Sequence, residues 1–222
     1  MIGWKPLFAL VALTLCAGCA GIESLNEAGR PTDLYSLTPK STFDPGLPRI
    51  DQQIVVEEPT ATAAVNTNRM AVFPSPLEVE YLPRARWVDR APLIVQALLV
   101  ESFENSGKVA AVGRSTVGLR ADYIIVSDLR EFQASVISGD TADGPLLVEV
   151  RINIKIVDDW EDQIIASRSF EEQVVAQGDS ALEIAQAFDT ALGRALRDSV
   201  EYSIRRIFSH ARANPRPDTA IR

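Results

Sequence analysis

Histidine and cysteine are nearly absent from this 222-residue chain, which contains one histidine, His210, and two cysteines, Cys16 and Cys19. Zinc sites normally combine several Cys and His ligands, so the composition argues against one. A Ser-His-Asp triad would need its histidine in a buried cleft. His210 follows the last predicted helix, which indicates a solvated residue. We therefore expect no catalytic residues, no metal and no cofactor.

Nucleotide-binding motifs and long apolar runs are lacking as well. No Walker loop is present and no GxGxxG motif follows a predicted strand, so nucleotide binding has no support. The acidic turn at 158–162 lacks the spaced ligands and central Gly of a calcium-binding loop, which favours a solvated hairpin turn. The net charge of −8 argues against nucleic acid or anionic headgroups as the main partner.

The N-terminus has the three parts of a secretory signal. Lys5 supplies the charge, residues 6–15 form a short apolar core, and small residues follow. The apolar core is well short of the roughly 20 residues that cross a bilayer. The exit resembles a bacterial lipobox, with Ala17 and Gly18 before Cys19, although Cys16 stands where an aliphatic residue is usual. This pattern predicts a lipoprotein signal peptide at 1–18, cleaved between Gly18 and Cys19.

Lipid attachment at Cys19 accounts for the cysteine that the mature chain would retain. Without a second cysteine it cannot form an intramolecular disulfide in an oxidising compartment. The lipobox implies a diacylglyceryl thioether and an N-acyl chain such as palmitate, which together anchor firmly. The alternative is ordinary cleavage after Ala20. Because Ala20 stands where Asp would favour inner-membrane retention, we expect the periplasmic face of the outer membrane.

The mature chain is predicted to contain one domain at 32–210, between a lipidated tether at 19–31 and a disordered tail at 211–222. Apolar runs and alternations interrupted by turn residues predict strands. These predicted strands lie at 33–38, 54–56, 69–73, 77–82, 108–112, 122–132, 148–156 and 164–175. The last two are predicted to form a β-hairpin.

Two main helices are predicted. The first begins with Asp89 as its N-cap and ends at the stop signal 105–107, with an apolar stripe that includes Leu93, Ile94 and Phe103. The second runs from Ser180 to Phe208, and Ser180 with Glu183 forms a capping-box pattern. Its apolar side is predicted to consist of Leu182, Ala185, Phe188, Leu192, Ala195, Leu196, Val200, Ile204 and Ile207. Strands with two helices indicate one α/β or α+β domain.

Trp87 lies just before the first helix and permits two interpretations. It packs over the first helical turn, or it is an aromatic anchor for a protein partner, flanked by Arg84, Arg86 and Arg90. The packing interpretation is the simpler of the two. The local arginines on an acidic protein keep the partner-binding interpretation open.

Several short segments, in order along the chain, resemble the ABC-type transport auxiliary lipoproteins. These segments are Tyr35-Ser36-Leu37, Asn66-Thr67-Asn68-Arg69-Met70, Tyr81 through Leu93 to Gly107, Arg120-Ala121-Asp122-Tyr123 and Asp128 to Phe132. The resemblance implies a three-layer α/β/α domain around a mixed, mostly antiparallel sheet. It also implies a non-catalytic accessory role in lipid transport of the paraquat-inducible or mammalian-cell-entry (MCE) type. The implied partners are an MCE-domain protein, an ABC permease and its ATPase, with a possible homo-oligomer of identical subunits.

Two other functions remain open from the sequence. A periplasmic lipid carrier would need its own apolar pocket of some hundreds of Å³. A structural lipoprotein of another envelope assembly would need no such pocket.

Overall fold

The computed structural model describes residues 31–115, 120–137 and 144–216. The predicted signal peptide, its cleavage site and Cys19 lie outside these residues. The described residues from Leu34 onward form one compact unit. The described part of the chain contains nine strands and two helices. The strands are β1 Asp33–Tyr35, β2 Ile50–Val56, β3 Thr60–Ala61, β4 Arg69–Ser75, β5 Glu78–Trp87, β6 Val109–Arg114, β7 Tyr123–Val136, β8 Leu146–Asp158 and β9 Gln163–Val175; the helices are α1 Ala91–Ser106 and α2 Ala181–Ala213.

Strand β7 organises the sheet. One of its edges pairs antiparallel with β8, which pairs antiparallel with β9. Its other edge is shared in turn by three shorter parallel strands, β2, β3 and β4. Strand β2 also pairs with β6, and β4 with β5. The predicted class is confirmed as a single mixed α/β domain, with a large open sheet and two helices.

The alternation in β8 sets which face of the sheet is buried. Its predicted apolar residues are fully buried: Val148, Val150, Ile152, Ile154 and Ile156 are each 0% exposed. The intervening polar residues belong to the opposite face because successive side chains on a strand alternate. The predicted hairpin of β8 and β9 is confirmed.

Helix α1 is buried on most of its sides. Val95 and Leu99 are 0% exposed, whereas Leu93, assigned to the apolar stripe, is only partly buried. The predicted N-cap Asp89 is wrong by one residue: the cap is Arg90, and the Asp89 carboxylate accepts a 2.7 Å hydrogen bond from the Arg90 N–H. The predicted stop is confirmed, since Gly107 adopts φ 62°, which glycine tolerates best.

Helix α2 begins with the predicted capping box. Ser180 accepts a hydrogen bond from the Glu183 N–H, and the Glu183 carboxylate accepts one from the Ser180 N–H. Leu182, assigned to the apolar side, is instead 55% exposed. The helix continues beyond its predicted end at Phe208 to Ala213, so residues 211–213 of the predicted tail are helical. Within the described residues, neither helix combines the length and apolarity needed to cross a membrane.

Candidate interaction surface

Trp87 is a core residue at the end of β5. Its side chain is 1% exposed. Its ring lies 5.6 Å from the ring of Phe132 on β7 and 5.1 Å from that of Phe188 on α2, measured between centroids. The indole is therefore buried, which favours the packing interpretation of Trp87 over its interpretation as an aromatic anchor for a partner. The neighbouring arginines have a different position.

A wide bulge in β5 exposes Arg84. Arg69 on β4 pairs with Arg86, and Ala71 pairs with Tyr81. Between these pairs β4 contributes Met70 alone, whereas β5 contributes the four residues 82–85. The extra residues leave the ladder, and Arg84 adopts φ 56° within them. Arg84 and Arg86 are both exposed, while Ala85 and Trp87 point into the core.

Two asparagines hold the arginines that follow. Arg86 donates from Nη1 to Asn68 Oδ1 at 3.1 Å. Arg90 donates from Nη1 to Asn66 Oδ1 at 2.6 Å. Its second nitrogen pairs with Glu58 at 2.9 Å, with both side chains more than 40% exposed, so this ion pair adds little stability. The asparagines fix the directions in which the guanidinium groups point.

Backbone hydrogen bonds join the same two segments. The N–H of Trp87 donates to the carbonyl of Asn68 at 2.7 Å, and the N–H of Ala91 donates to that of Thr67 at 3.1 Å. Arg69 stacks over the Tyr81 ring, with its Cζ 3.5 Å from the centroid. Residues 64–70 and 81–91 therefore form one unit. We name its cationic surface, formed by Arg69, Arg84, Arg86 and Arg90, the arginine face.

The arginine face can recognise carboxylates. A guanidinium group presents donors in a planar fork that matches a carboxylate, and it stays charged at every physiological pH. Val88, which is 56% exposed, adds an apolar contact beside these charges. Such a mixture of apolar centre and charged surroundings suits a protein partner.

A second polar cluster lies at the C-terminal end of α2. Tyr123 Oη lies 3.0 Å from His210 Nδ1, and the same nitrogen lies 3.6 Å from Asp158 Oδ2. Arg216 donates to Asp158 Oδ1 at 2.7 Å and to Asp122 Oδ1 at 2.5 Å. The His210 side chain is only 19% exposed. The expectation of a solvated histidine is therefore wrong, because α2 carries His210 back against β7.

This cluster does not have the geometry of a triad-type proton relay. Both contacts of His210 use Nδ1, so the ring cannot relay a proton from Tyr123 on one nitrogen while Asp158 orients the other. Burial and the charge of Asp158 raise the pKa of Tyr123 to about 12, which keeps the phenol protonated. Among the described residues, no group of three or more His, Cys, Asp or Glu could hold a metal ion. The cluster instead ties α2 to the sheet.

The chain belongs to the ABC-type transport auxiliary lipoprotein component family, whose model matches residues 35–198. The resemblance to this family is thereby confirmed. The match includes the whole arginine face and ends before His210 and Arg216.

The chain is also similar to individual proteins. An uncharacterized protein of Bradyrhizobium diazoefficiens, bll6063, is 28% identical over 190 residues, which cover 83% of this chain and 49% of that protein. The chain thus spans about half the length of this curated relative. The crystal structure of protein XCC0632 from Xanthomonas campestris is 26% identical, with a TM-score of 0.75 over 81% of this chain and 99% of that one.

A more distant likeness concerns the fold alone. The crystal structure of another uncharacterized protein has a TM-score of 0.60 at 11% identity, covering 78% of this chain and 99% of that one.

The sequence did not indicate that Asn66 and Asn68 accept hydrogen bonds from Arg90 and Arg86. It also did not indicate that Arg216 pairs with Asp158. The asparagines lie within the segment 66–70, which resembles the family. That resemblance was the one sequence feature that could have marked them as functionally important. Arg216 lies in a Pro-containing stretch that the sequence predicts to be a disordered tail. The neighbouring residues therefore do not indicate that it pairs with Asp158.

Proposed function

We propose that the protein is a lipid-anchored, non-catalytic accessory component of an MCE-type ABC transporter that moves lipid, such as phospholipid, between the inner and outer membranes. In this proposal Cys19 carries the lipid, and the domain stands on the periplasmic face of the outer membrane. Energy for transport comes from the separate ATPase. Identical subunits associate around the transport path.

One structural observation suggests which residues contact the partner protein. The segments that resemble the family at 66–70 and 81–93 are not merely neighbours in sequence order. They are bonded to each other through Asn66 and Asn68, and together they expose Arg84 and Arg86. Side chains that only stabilise a fold need no such exposure, whereas a docking surface does. The arginine face is therefore our candidate contact for the MCE-domain protein.

The proposed lipid anchor explains how a small contact surface can be sufficient for binding the partner. Tethering confines the domain to one membrane and raises its effective concentration for any partner located there. Arginines at the rim of an interface then act mainly on the rate and specificity of association. We expect the partner to present carboxylates at the matching positions.

The lipid-carrier alternative gains no support from the cavities among the described residues. A cavity of about 440 Å³ beside α2 is lined mainly by polar and charged side chains, including Lys40, Asp189, Arg194 and Arg197. The largest side chains of the apolar core are fully buried. A carrier would instead line its cavity with apolar groups.

Charge reversal tests the proposed contact. The doubly substituted Arg84→Glu/Arg86→Glu chain, tagged and extracted in mild detergent, should recover much less of the MCE-domain protein than the original chain recovers. Arg49→Glu/Arg114→Glu is the matched control, because both residues are exposed at the opposite, β2–β6 end of the sheet. Equal recovery by all three folded proteins would show that the arginine face is not the contact.

A further inference from the structure

A cavity of about 440 Å³ lies between the segment 38–41 and helix α2. Three of the side chains that line it are cationic, Lys40, Arg194 and Arg197, and one is anionic, Asp189. The chain as a whole has a net charge of −8, so the charge of this wall is opposite in sign to that of the protein. A concave wall of cations raises the local concentration of anions.

The single carboxylate in the wall is bonded within the protein. Asp189 Oδ1 accepts hydrogen bonds from the Thr38 N–H at 2.7 Å and from the Thr38 hydroxyl at 2.9 Å. Asp189 Oδ2 accepts a second contact from the same hydroxyl at 3.0 Å. Both oxygens therefore serve to hold Thr38, and the three cations exceed the one anion in the wall.

The two arginines keep hydrogen-bond donors for a ligand. Arg194 approaches Glu172 only to 3.9 Å, which is beyond hydrogen-bond distance. Arg197 donates to Asp198 from Nε at 3.1 Å, which uses one of the five N–H donors of its guanidinium group. Within the described residues, these two ion pairs leave most of the donors of both side chains for another partner.

The wall opposite α2 is fixed to both helices. The N–H of Lys40 donates to Oγ of Ser102 on α1 at 3.0 Å, and Ser102 is fully buried. Asn105 donates from Nδ2 to the Lys40 carbonyl at 3.1 Å. The contact between Thr38 and Asp189 attaches the same segment to α2. A site whose walls are already held in place loses less conformational entropy when it binds a ligand.

Gly193 leaves space on the helical wall. It lies four residues before Arg197, so the two positions share one face of α2. A Cβ added to Gly193 would meet no atom within 4 Å, so packing against neighbouring residues does not require glycine there. Glycine is also less favourable than alanine inside a helix. The missing side chain has a direct consequence for the cavity, which stays open beside the arginines.

Phosphate is the anion that suits this arrangement best. Its oxygens accept hydrogen bonds from several directions, whereas a carboxylate presents one planar pair that a single guanidinium group satisfies. Arginine binds phosphate through its planar fork and lysine binds it as a point charge. Cations on both walls of the cavity therefore match a phosphate better than a lone carboxylate.

We propose that this cavity binds a phosphate group, which Lys40, Arg194 and Arg197 hold. The phosphate belongs either to a phospholipid headgroup or to a small soluble molecule, and the same three cations recognise both. The site shares no residue with the arginine face, so it goes beyond the docking role proposed above. It does not depend on which transporter the protein serves.

Calorimetric titration of the purified full chain, in a detergent without phosphorus, tests the site. The two probes are inorganic phosphate and glycerophosphoethanolamine, which is a phospholipid headgroup without acyl chains. We expect saturable binding of at least one probe. Arg194→Gln/Arg197→Gln should weaken it at least about tenfold, because two charge-assisted contacts are lost.

The matched control for charge is Arg206→Gln/Arg212→Gln. It removes the same charge from exposed positions of α2 that lie outside the cavity. Because exposed charges at a distance are screened by salt, the dissociation constant should stay within about twofold of its original value. Circular dichroism of both double variants separates weaker binding from loss of folding.

A second variant tests the cavity and leaves its charges unchanged. Gly193→Leu retains every cation and introduces a residue that favours a helix, so the chain should fold at least as stably as the original. Its side chain should occupy the space beside Arg197 and abolish binding of the phosphate probe. Thermal unfolding without ligand checks the stability of this variant.

The order of the two affinities identifies the source of the phosphate. Tighter binding of glycerophosphoethanolamine would assign the site to a phospholipid headgroup, and tighter binding of inorganic phosphate would assign it to a soluble phosphate; both results support the site. Saturable binding of neither probe, equal weakening in the Arg206→Gln/Arg212→Gln control, or unchanged binding by folded Gly193→Leu would each overturn the proposal. Copurification of transporter components tests the proposed function separately.

Discussion

The ring of Trp87 meets the ring of Phe188 edge-on, with centroids 5.1 Å apart and an angle of 81° between the planes. This contact connects the end of β5 to the N-terminal part of α2 across the core. Trp87 is followed directly by the exposed residue Val88 and preceded by the exposed Arg86. The buried indole therefore sets the position of the arginine face without belonging to it.

Replacing Trp87 should act on stability first. Trp87→Ala should lower the free energy of unfolding by about 3–5 kcal/mol, because it removes a large buried side chain and leaves a cavity. Trp160→Ala is the matched control, since Trp160 is 62% exposed. Its effect should stay within about 0.5 kcal/mol. Urea denaturation followed by circular dichroism measures both; a Trp87→Ala effect as small as that of the control would contradict the packing described here.

Replacing either of two glycines with alanine should change the stability of the protein, and the two changes should have opposite signs. Gly107 has φ 62°, where alanine is strained, so Gly107→Ala should destabilise the protein by about 1 kcal/mol. Gly193 lies inside α2, and an added Cβ would meet no atom within 4 Å. Gly193→Ala should therefore stabilise the protein by up to about 1 kcal/mol. Thermal unfolding of the two variants compares the signs directly, and a shift of both in the same direction would be inconsistent with these conformations.

The contact between Arg216 and Asp158 should make stability depend on pH. Burial alone would raise the pKa of Asp158, but hydrogen bonds from Arg216 and from the N–H groups of Trp160 and Glu161 outweigh it, and the pKa lies below its ordinary value of 3.8. A lowered pKa stabilises the folded state above pH 3.8, and this contribution is lost as the pH falls through the folded-state pKa.

Arg216→Ala should therefore lower the free energy of unfolding at pH 7 by about 1.5–3 kcal/mol, the usual contribution of a charged hydrogen bond. The difference from the original chain should shrink as the pH falls below 3.8 toward the lower folded-state pKa, at which Asp158 in the folded protein takes up its proton. Urea denaturation at pH 7, 5 and 3 measures it. A difference that is the same at all three values would mean that Arg216 acts through packing alone.

Lipid attachment at Cys19 remains a prediction from the sequence, and one substitution tests it. Cys19→Ser removes the thiol that would carry the lipid, so the chain should move from the membrane fraction to the soluble periplasmic fraction. Ser24→Ala, within the same predicted tether, is the control and should leave the fractionation unchanged. Membrane retention of the Cys19→Ser chain would show that another part of the protein holds it there.

Regular patterns predicted much of the fold because they act locally. The alternation along β8 and the capping box of Ser180 and Glu183 each depend on residues a few positions apart, and both are confirmed. The exact N-cap of α1 was missed because Asp89 bonds the adjacent N–H instead of one further along the helix. The sequence shows that Asp89 is a suitable capping residue, but it does not show from which N–H its carboxylate accepts a hydrogen bond.

The candidate surface was only partly accessible to sequence reasoning. The cluster of arginines was visible, but the burial of Trp87 depends on Phe132 and Phe188, which are distant in the chain. In the same way, the pairing of Arg90 with Asn66 and Glu58 requires the tertiary fold. Local sequence indicates which groups are present, whereas only the fold determines which of them remain exposed.

The most direct test of the proposed role is mild detergent extraction of the tagged full-length chain, followed by mass spectrometry of the proteins and lipids that copurify. The account predicts recovery of an MCE-domain protein together with its ABC permease and ATPase. Recovery of lipid alone, or of an unrelated envelope complex, would contradict it.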